Sequence, residues 1–101
     1  MKIKTVTART PEALARTLGL SAVESQEWRV QHALLKGLRL TVRDQALTHA
    51  DVAKRAGSSR TRVTAILNGN LDNVSSDLLI RLLGALGCRV RVSVSRLDPA
   101  A

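Results

Sequence analysis

Arg60 and Arg62 stand two residues apart in the stretch AGSSRTRVTAILNGN, residues 56–70, among Ser58, Ser59, Thr61 and Thr64. From Ala53 to Asn70 there is no acid. Guanidinium groups are permanent cations that fork onto phosphate or onto guanine O6 and N7, and hydroxyls add neutral hydrogen bonds. The chemistry on offer is therefore recognition of something negative. Lys54 and Arg55 extend the same acid-free run. Bond-breaking chemistry would need a nucleophile beside a base, paired carboxylates or a phosphate-cradling glycine loop. Here the acids are scattered and the glycines fall where helices should end, so the chain is expected to be no enzyme and to need no cofactor. His32 and His49 have no Cys, His or acid at ligand spacing, and no metal site is expected.

Composition points the same way. Sixteen Lys and Arg against eight Asp and Glu give a formal charge of +8 and a pI near 11.3 in 101 residues, a balance that favours a polyanionic partner. Trp28 is the one aromatic residue. A single-strand binder that stacks bases on aromatic platforms is thereby disfavoured, and duplex binding by an inserted helix is left. The length suits one domain with one modest core. Cys88 has no partner for an internal disulfide, MKIKTVTART lacks an apolar signal core, and no apolar run reaches bilayer length. A cytoplasmic, nucleoid-associated protein is the expectation.

The elements that must position these residues are read from caps and periodicity. KIKTV alternates weakly, and Thr10-Pro11-Glu12 then opens a short helix that Gly19 stops, so residues 1–20 form an amino-terminal arm. Residues 21–45 read as a longer helix with Val30, Leu34, Leu38 and Val42 at i, i+4 spacing. Gly37 weakens it, and β-branched Thr41 and Val42 allow a break there. Thr48 caps a two-turn helix over residues 49 to 55 or 56 that turns Val52, Ala53 and Ala56 inward, and Gly57 ends it. Ser59 caps the next, with Val63, Ile66 and Leu67 inward and Asn68-Gly69-Asn70 as its left-handed stop. Ser75 caps a third, with Val74 as a staple and Leu78, Leu79, Leu82, Leu83 and Leu86 as a broad stripe before Gly87. Arg89 to Ser95 alternates as a half-buried strand does. Its backbone must find a partner, either KIKTV or a second copy of itself. Cys88 is expected as a small packing residue and Trp28 as a core or interface anchor.

Two short helices joined by a glycine turn, with Ala53 small where they cross, form a helix-turn-helix. At about 100° per residue, Thr61, Thr64, Ala65 and Asn68 lie opposite the inward face, with Arg60 and Arg62 on its flanks. A face small in the middle and basic at the edges suits entry into a duplex major groove.

THADVAKRAGSSRTRVTAILNG, residues 48–69, resembles the lambda-repressor-like helix-turn-helix of the Xre family. Thr48, Val52, Ala53, Gly57, Ser59, Val63, Thr64 and Gly69 occupy the matching positions without a gap. NVSSDLLIRLLGALGCRVRVSVSR, residues 73–96, is similar to the ending of HigA-like antitoxins. The resemblance implies a mainly α fold, a lambda-repressor-like helical domain over residues 21–96 with a short carboxyl-terminal β-strand. It implies DNA contacts at His49, Ser59, Arg60, Thr61, Arg62, Thr64 and Ala65, and Lys54 is expected on phosphate. Two positions depart from the family pattern. His49 replaces the usual glutamine, and Ser58 replaces an apolar residue, which implies a looser turn. The implied partners are operator DNA, a second copy of the chain and a toxin of the RelE/HigB endoribonuclease type. Left open beside this reading are a module whose main task is neutralising a toxin, and a phage-type repressor without one.

Overall fold

A computed structural model describes residues 22–96. The expected short helix after Thr10 and the KIKTV segment lie outside the described residues. Within them the chain folds into four helices, α1 (Ala22–Asp44), α2 (His49–Ala56), α3 (Arg60–Leu67) and α4 (Ser76–Ala85). The fold is mainly α, as expected.

Each short helix begins on a capped turn. Thr48 accepts from the Asp51 amide while the Asp51 carboxylate accepts from the Thr48 amide at 2.9 Å, a reciprocal capping box. Ser59 caps α3 through the Arg62 amide, and Ser75 caps α4 through the Leu78 amide, both at 3.1 Å. At the other ends the chain turns left-handed, with φ of 65° at Gly57, 95° at Gly69 and 85° at Gly87. These are backbone conformations in which a Cβ is strained.

The helices enclose one core. Leu34, Leu35 and Leu38 of α1 meet Val52 and Ala53 of α2, Val63, Ile66 and Leu67 of α3, and Leu79, Leu82, Leu83 and Leu86 in and after α4, with Val74 beneath the loop. Full burial of one such leucine is worth about 2 kcal/mol. Four helix ties cross this core: α1 packs on α4 and α3, and α3 and α4 both pack on α2. The Gln31 amide nitrogen reaches the Val74 carbonyl at 2.9 Å, and the Gln45 amide nitrogen reaches the Leu86 carbonyl at 3.0 Å, pinning both ends of the α1–α4 contact.

Three expectations change. α1 runs unbroken through Thr41 and Val42; the Thr41 hydroxyl donates back to the Gly37 carbonyl at 2.8 Å, so the polar group is satisfied without opening the helix. Val30 does not share the buried face, for it is 51% exposed while Leu35 is buried. Four residues advance about 400° round a helix, so a strict i, i+4 stripe drifts by about 40° per step and leaves the face that touches a flat neighbour. Residues 89–96 carry no regular secondary structure and form no ladder with the described residues, so the expected strand is not seen, and Val92 and Val94 stand 80% and 90% exposed. The segment has a strand's alternation in sequence without a strand's partner among the described residues.

Trp28 is half-buried on α1 and not in the core. Its ring stacks on His32 at 4.0 Å between centroids. Cys88 packs against the core and lies 3.2 Å from the Thr41 hydroxyl, the packing role expected of it.

Candidate nucleic-acid interface

α2 and α3 are short because each is bounded by a cap and a left-handed glycine, and the three-residue link between them, residues 57–59, fixes their crossing. The Gly57 and Ser58 amides both donate to the Ala53 carbonyl, the latter at 2.9 Å. Ser58 thus sits, half-buried, in a turn closed by two backbone bonds. Ala53, 6% exposed, is the small contact at the crossing.

The crossing brings the first residue of α2 onto the middle of α3. His49 Nδ1 and the Thr64 hydroxyl share a hydrogen bond of 2.8 Å. Two residues to which the family resemblance assigns DNA contacts therefore touch each other, and His49 Nε2 remains as the ring's other polar atom. Arg60 and Thr61 in the first turn of α3 are exposed, and no hydrogen bond or ion pair holds the Arg60 guanidinium among the described residues. Ala65 is half-buried and Ser59 is exposed with its hydroxyl engaged in capping. Lys54 projects from α2 and is exposed.

Arg62 is placed differently. Its Nη2 donates to the Asn73 carbonyl at 3.1 Å, in the loop that joins α3 to α4, where Asn73 itself holds a φ of 58°. The side chain leans toward the loop and keeps further N–H groups for another acceptor.

The surface is electropositive by arrangement as well as by count. The first turn of α3 carries no acid, so the positive end of its dipole is answered only by Ser59. Asp51, the acid nearest before this run, is engaged with the amino end of α2. The Thr48 amide, then the Thr48 hydroxyl, with Arg55 and Lys54 adding to them, hold its carboxyl below the usual range. Among the described residues no group of His, Cys, Asp or Glu could hold a metal ion.

Sequence reasoning missed Arg39. From α1 its Nε donates to the Leu67 carbonyl at 2.9 Å, and a Cβ on Gly69 would meet its terminal nitrogen at 3.3 Å. A cation at the carboxyl end of α3 satisfies an orphan carbonyl and complements the dipole. Arg39 is thus a clamp on the far end of the helix whose first turn carries Arg60.

A helix-turn-helix domain family matches residues 15–95. The chain belongs to that family. The match spans all four described helices, and the helix-turn-helix is α2 and α3, the architecture of DNA-binding regulators. No curated protein and no solved structure matches the chain. No helix among the described residues is long and apolar enough to cross a membrane.

Proposed function

We propose that this helix-turn-helix protein is a sequence-specific repressor that binds a partly palindromic operator as a homodimer. The observation that carries the reading is the α2–α3 surface. It bears an Arg60 that no described group holds, exposed Thr61 and the His49–Thr64 pair, on a run with no acid. α3 would lie in the major groove with Arg60 on a guanine edge. His49, Ser59, Thr61, Arg62, Thr64 and Ala65 would line the contact, and Lys54 would reach a phosphate. Two such helices, about 34 Å apart in a dimer, would occupy successive grooves and exclude polymerase.

The operon it controls is proposed to be its own and to include a toxin of the RelE/HigB type, which the chain would bind as an antitoxin of the Xre and HigA kind. The support is the similarity of residues 73–96 to that family's ending.

Selection of bound fragments from a random duplex pool tests the first part. We expect a partly palindromic consensus, and Arg60→Ala should weaken binding to it by about 1 to 3 kcal/mol while relaxing one base position per half-site, the worth of a bidentate guanine contact. An unchanged consensus and affinity would remove Arg60 from base reading. For the second part, the tagged chain drawn from its own host should bring with it a small protein encoded beside it. If the neighbouring product does not bind, the chain is a repressor without a toxin.

A further inference from the structure

On the α2–α3 surface His49 is the side chain of a type that changes charge near neutral pH. Few charges share its face. On α2, Asp51, Lys54 and Arg55 lie about 160°, 140° and 120° round the helix from His49, and Asp51 is already engaged with Thr48. On α3, Arg62 lies about 160° from Thr64 and leans on the Asn73 carbonyl, whereas Arg60 lies about 40° from it, one turn nearer the amino end. α4 also packs on α2, but its Asp77 and Arg81 are exposed, each about 160° round the helix from the buried Leu79. Arg60 is thus the charge that shares the face of the His49–Thr64 pair, and no carboxylate stands there.

The pair is short of hydrogens for a surface made of acceptors. His49 Nδ1 and Thr64 Oγ1, 2.8 Å apart, share one hydrogen. With a neutral imidazole there are two polar hydrogens, one on the ring and one on the hydroxyl, and the bond between the residues uses one of them. A single outward donor is left. If the ring hydrogen is on Nδ1, it donates to Thr64, the hydroxyl is free to donate outward and Nε2 presents a lone pair. If it is on Nε2, that N–H faces outward and the Thr64 hydrogen is spent on Nδ1. Nε2 has no partner among the described residues and is not buried. A duplex would set phosphate oxygens and, in the major groove, guanine O6 and N7 or thymine O4 against such a surface. With a third hydrogen both atoms donate at once: Nε2–H to a phosphate, the Thr64 hydroxyl to a second acceptor, and Nδ1–H to Thr64.

Resting on the reading of α2 and α3 as a duplex-binding surface, we propose that His49 takes up one proton from solvent when α3 enters the groove, so that the chain grips DNA with His49 as the imidazolium. A phosphate opposite Nε2 favours the charged ring. The proton is then held more tightly in the complex than in the free chain. The affinity it adds is complete in acid, declines as pH rises through the histidine range and is gone in alkali.

Affinity for the selected duplex, measured from about pH 5.5 to 8.5 at one ionic strength, tests the coupling. The Kd should rise by up to about tenfold per pH unit for each bound subunit, the slope of one proton. Glutamine offers an amide N–H that does not titrate, so His49→Gln should flatten the rise. His32→Gln, on α1 against Trp28, should leave it in place. Thr64→Val removes the hydroxyl that competes for the ring's hydrogen and should make the rise shallower. Calorimetry in two buffers of different ionisation enthalpy counts the proton directly, and circular dichroism verifies that each variant keeps its helices. A parent chain that binds without a pH slope, or the same slope in His49→Gln, overturns the coupling and leaves the repressor reading standing. A full slope in Thr64→Val overturns the hydrogen count and makes His49 a phosphate contact alone. Absence of duplex binding at every pH sinks the repressor reading itself, and the coupling with it.

Discussion

Arg60 and Arg62 have the same chemistry and only Thr61 between them, yet they are set to different tasks. Arg62 is tied to the Asn73 carbonyl, so Arg62→Ala should remove one hydrogen bond to a strained loop residue and lower stability by about 1 kcal/mol, read as a fall in the thermal midpoint. Arg60, which no described group holds, should leave that midpoint unmoved when truncated. Equal thermal midpoints for both variants would show that the loop contact holds nothing in solution. Lys54 offers a third contrast. As a proposed phosphate contact it should, as Lys54→Ala, weaken binding to all duplexes alike and flatten the salt dependence by about one unit per subunit, with the consensus unchanged. A changed consensus would give it a base to read. None of these distinctions is visible in residue type. All three cations stand in one acid-free run, and what separates them is where the α3–α4 loop passes, a fact of the fold and not of the run.

At the scale of helices, what was legible in the sequence is what is local. Thr48, Ser59 and Ser75 cap their helices, and Gly57, Gly69 and Gly87 turn left-handed, because cap and stop are settled within a few residues. What was not legible is what crosses from one helix to another: Leu35 replacing Val30 on the buried face, Arg39 closing α3 from 28 residues away, and Gln31 reaching Val74. The caps carry a pH dependence. Asp51 is held low by Thr48, so its folded pKa lies below its unfolded one. Its contribution is present above the unfolded pKa and is lost as pH falls through the folded one. Asp51→Asn should therefore lower the melting temperature at neutral pH, and the gap to the parent should close in acid below the ordinary aspartate range. A gap that stays constant through that range would mean the carboxylate's charge does not act there. Gly37 supplies the opposite sign. A Cβ there would meet only Leu83 at 4.0 Å, an ordinary contact, so Gly37→Ala should stabilise α1 by about 0.5 to 1 kcal/mol in chemical denaturation.

For the whole molecule, the question is how a domain whose recognition helix is eight residues long obtains both affinity and specificity. One half-site offers few base contacts, and non-specific binding alone gives a Kd on the order of 10⁻⁴ to 10⁻⁶ M at physiological salt. Joining two recognition helices raises the effective concentration of the second at its half-site without any new contact. Pairing of residues 89–96 with the same segment of a second copy, which their alternating valines allow, would supply that joint from a segment remote in sequence from α3, so the seam can be cut without touching the reader. Val92 is 80% exposed and takes no part in the four-helix core. Val92→Pro would remove a ladder donor and the central apolar contact of that pairing while leaving the core residues as they are. The variant should keep its helical circular dichroism and its melting profile at high dilution, sediment as a monomer, and bind operator and unrelated duplex with the same weak affinity. Its operator affinity should fall to the non-specific level with a smaller salt slope, since one subunit touches fewer phosphates than two. A Val92→Pro chain that stays dimeric and still grips the operator would place the joint between subunits elsewhere, with the exposed faces of α1, Val23 and Val30 among them, as the surface left to carry it.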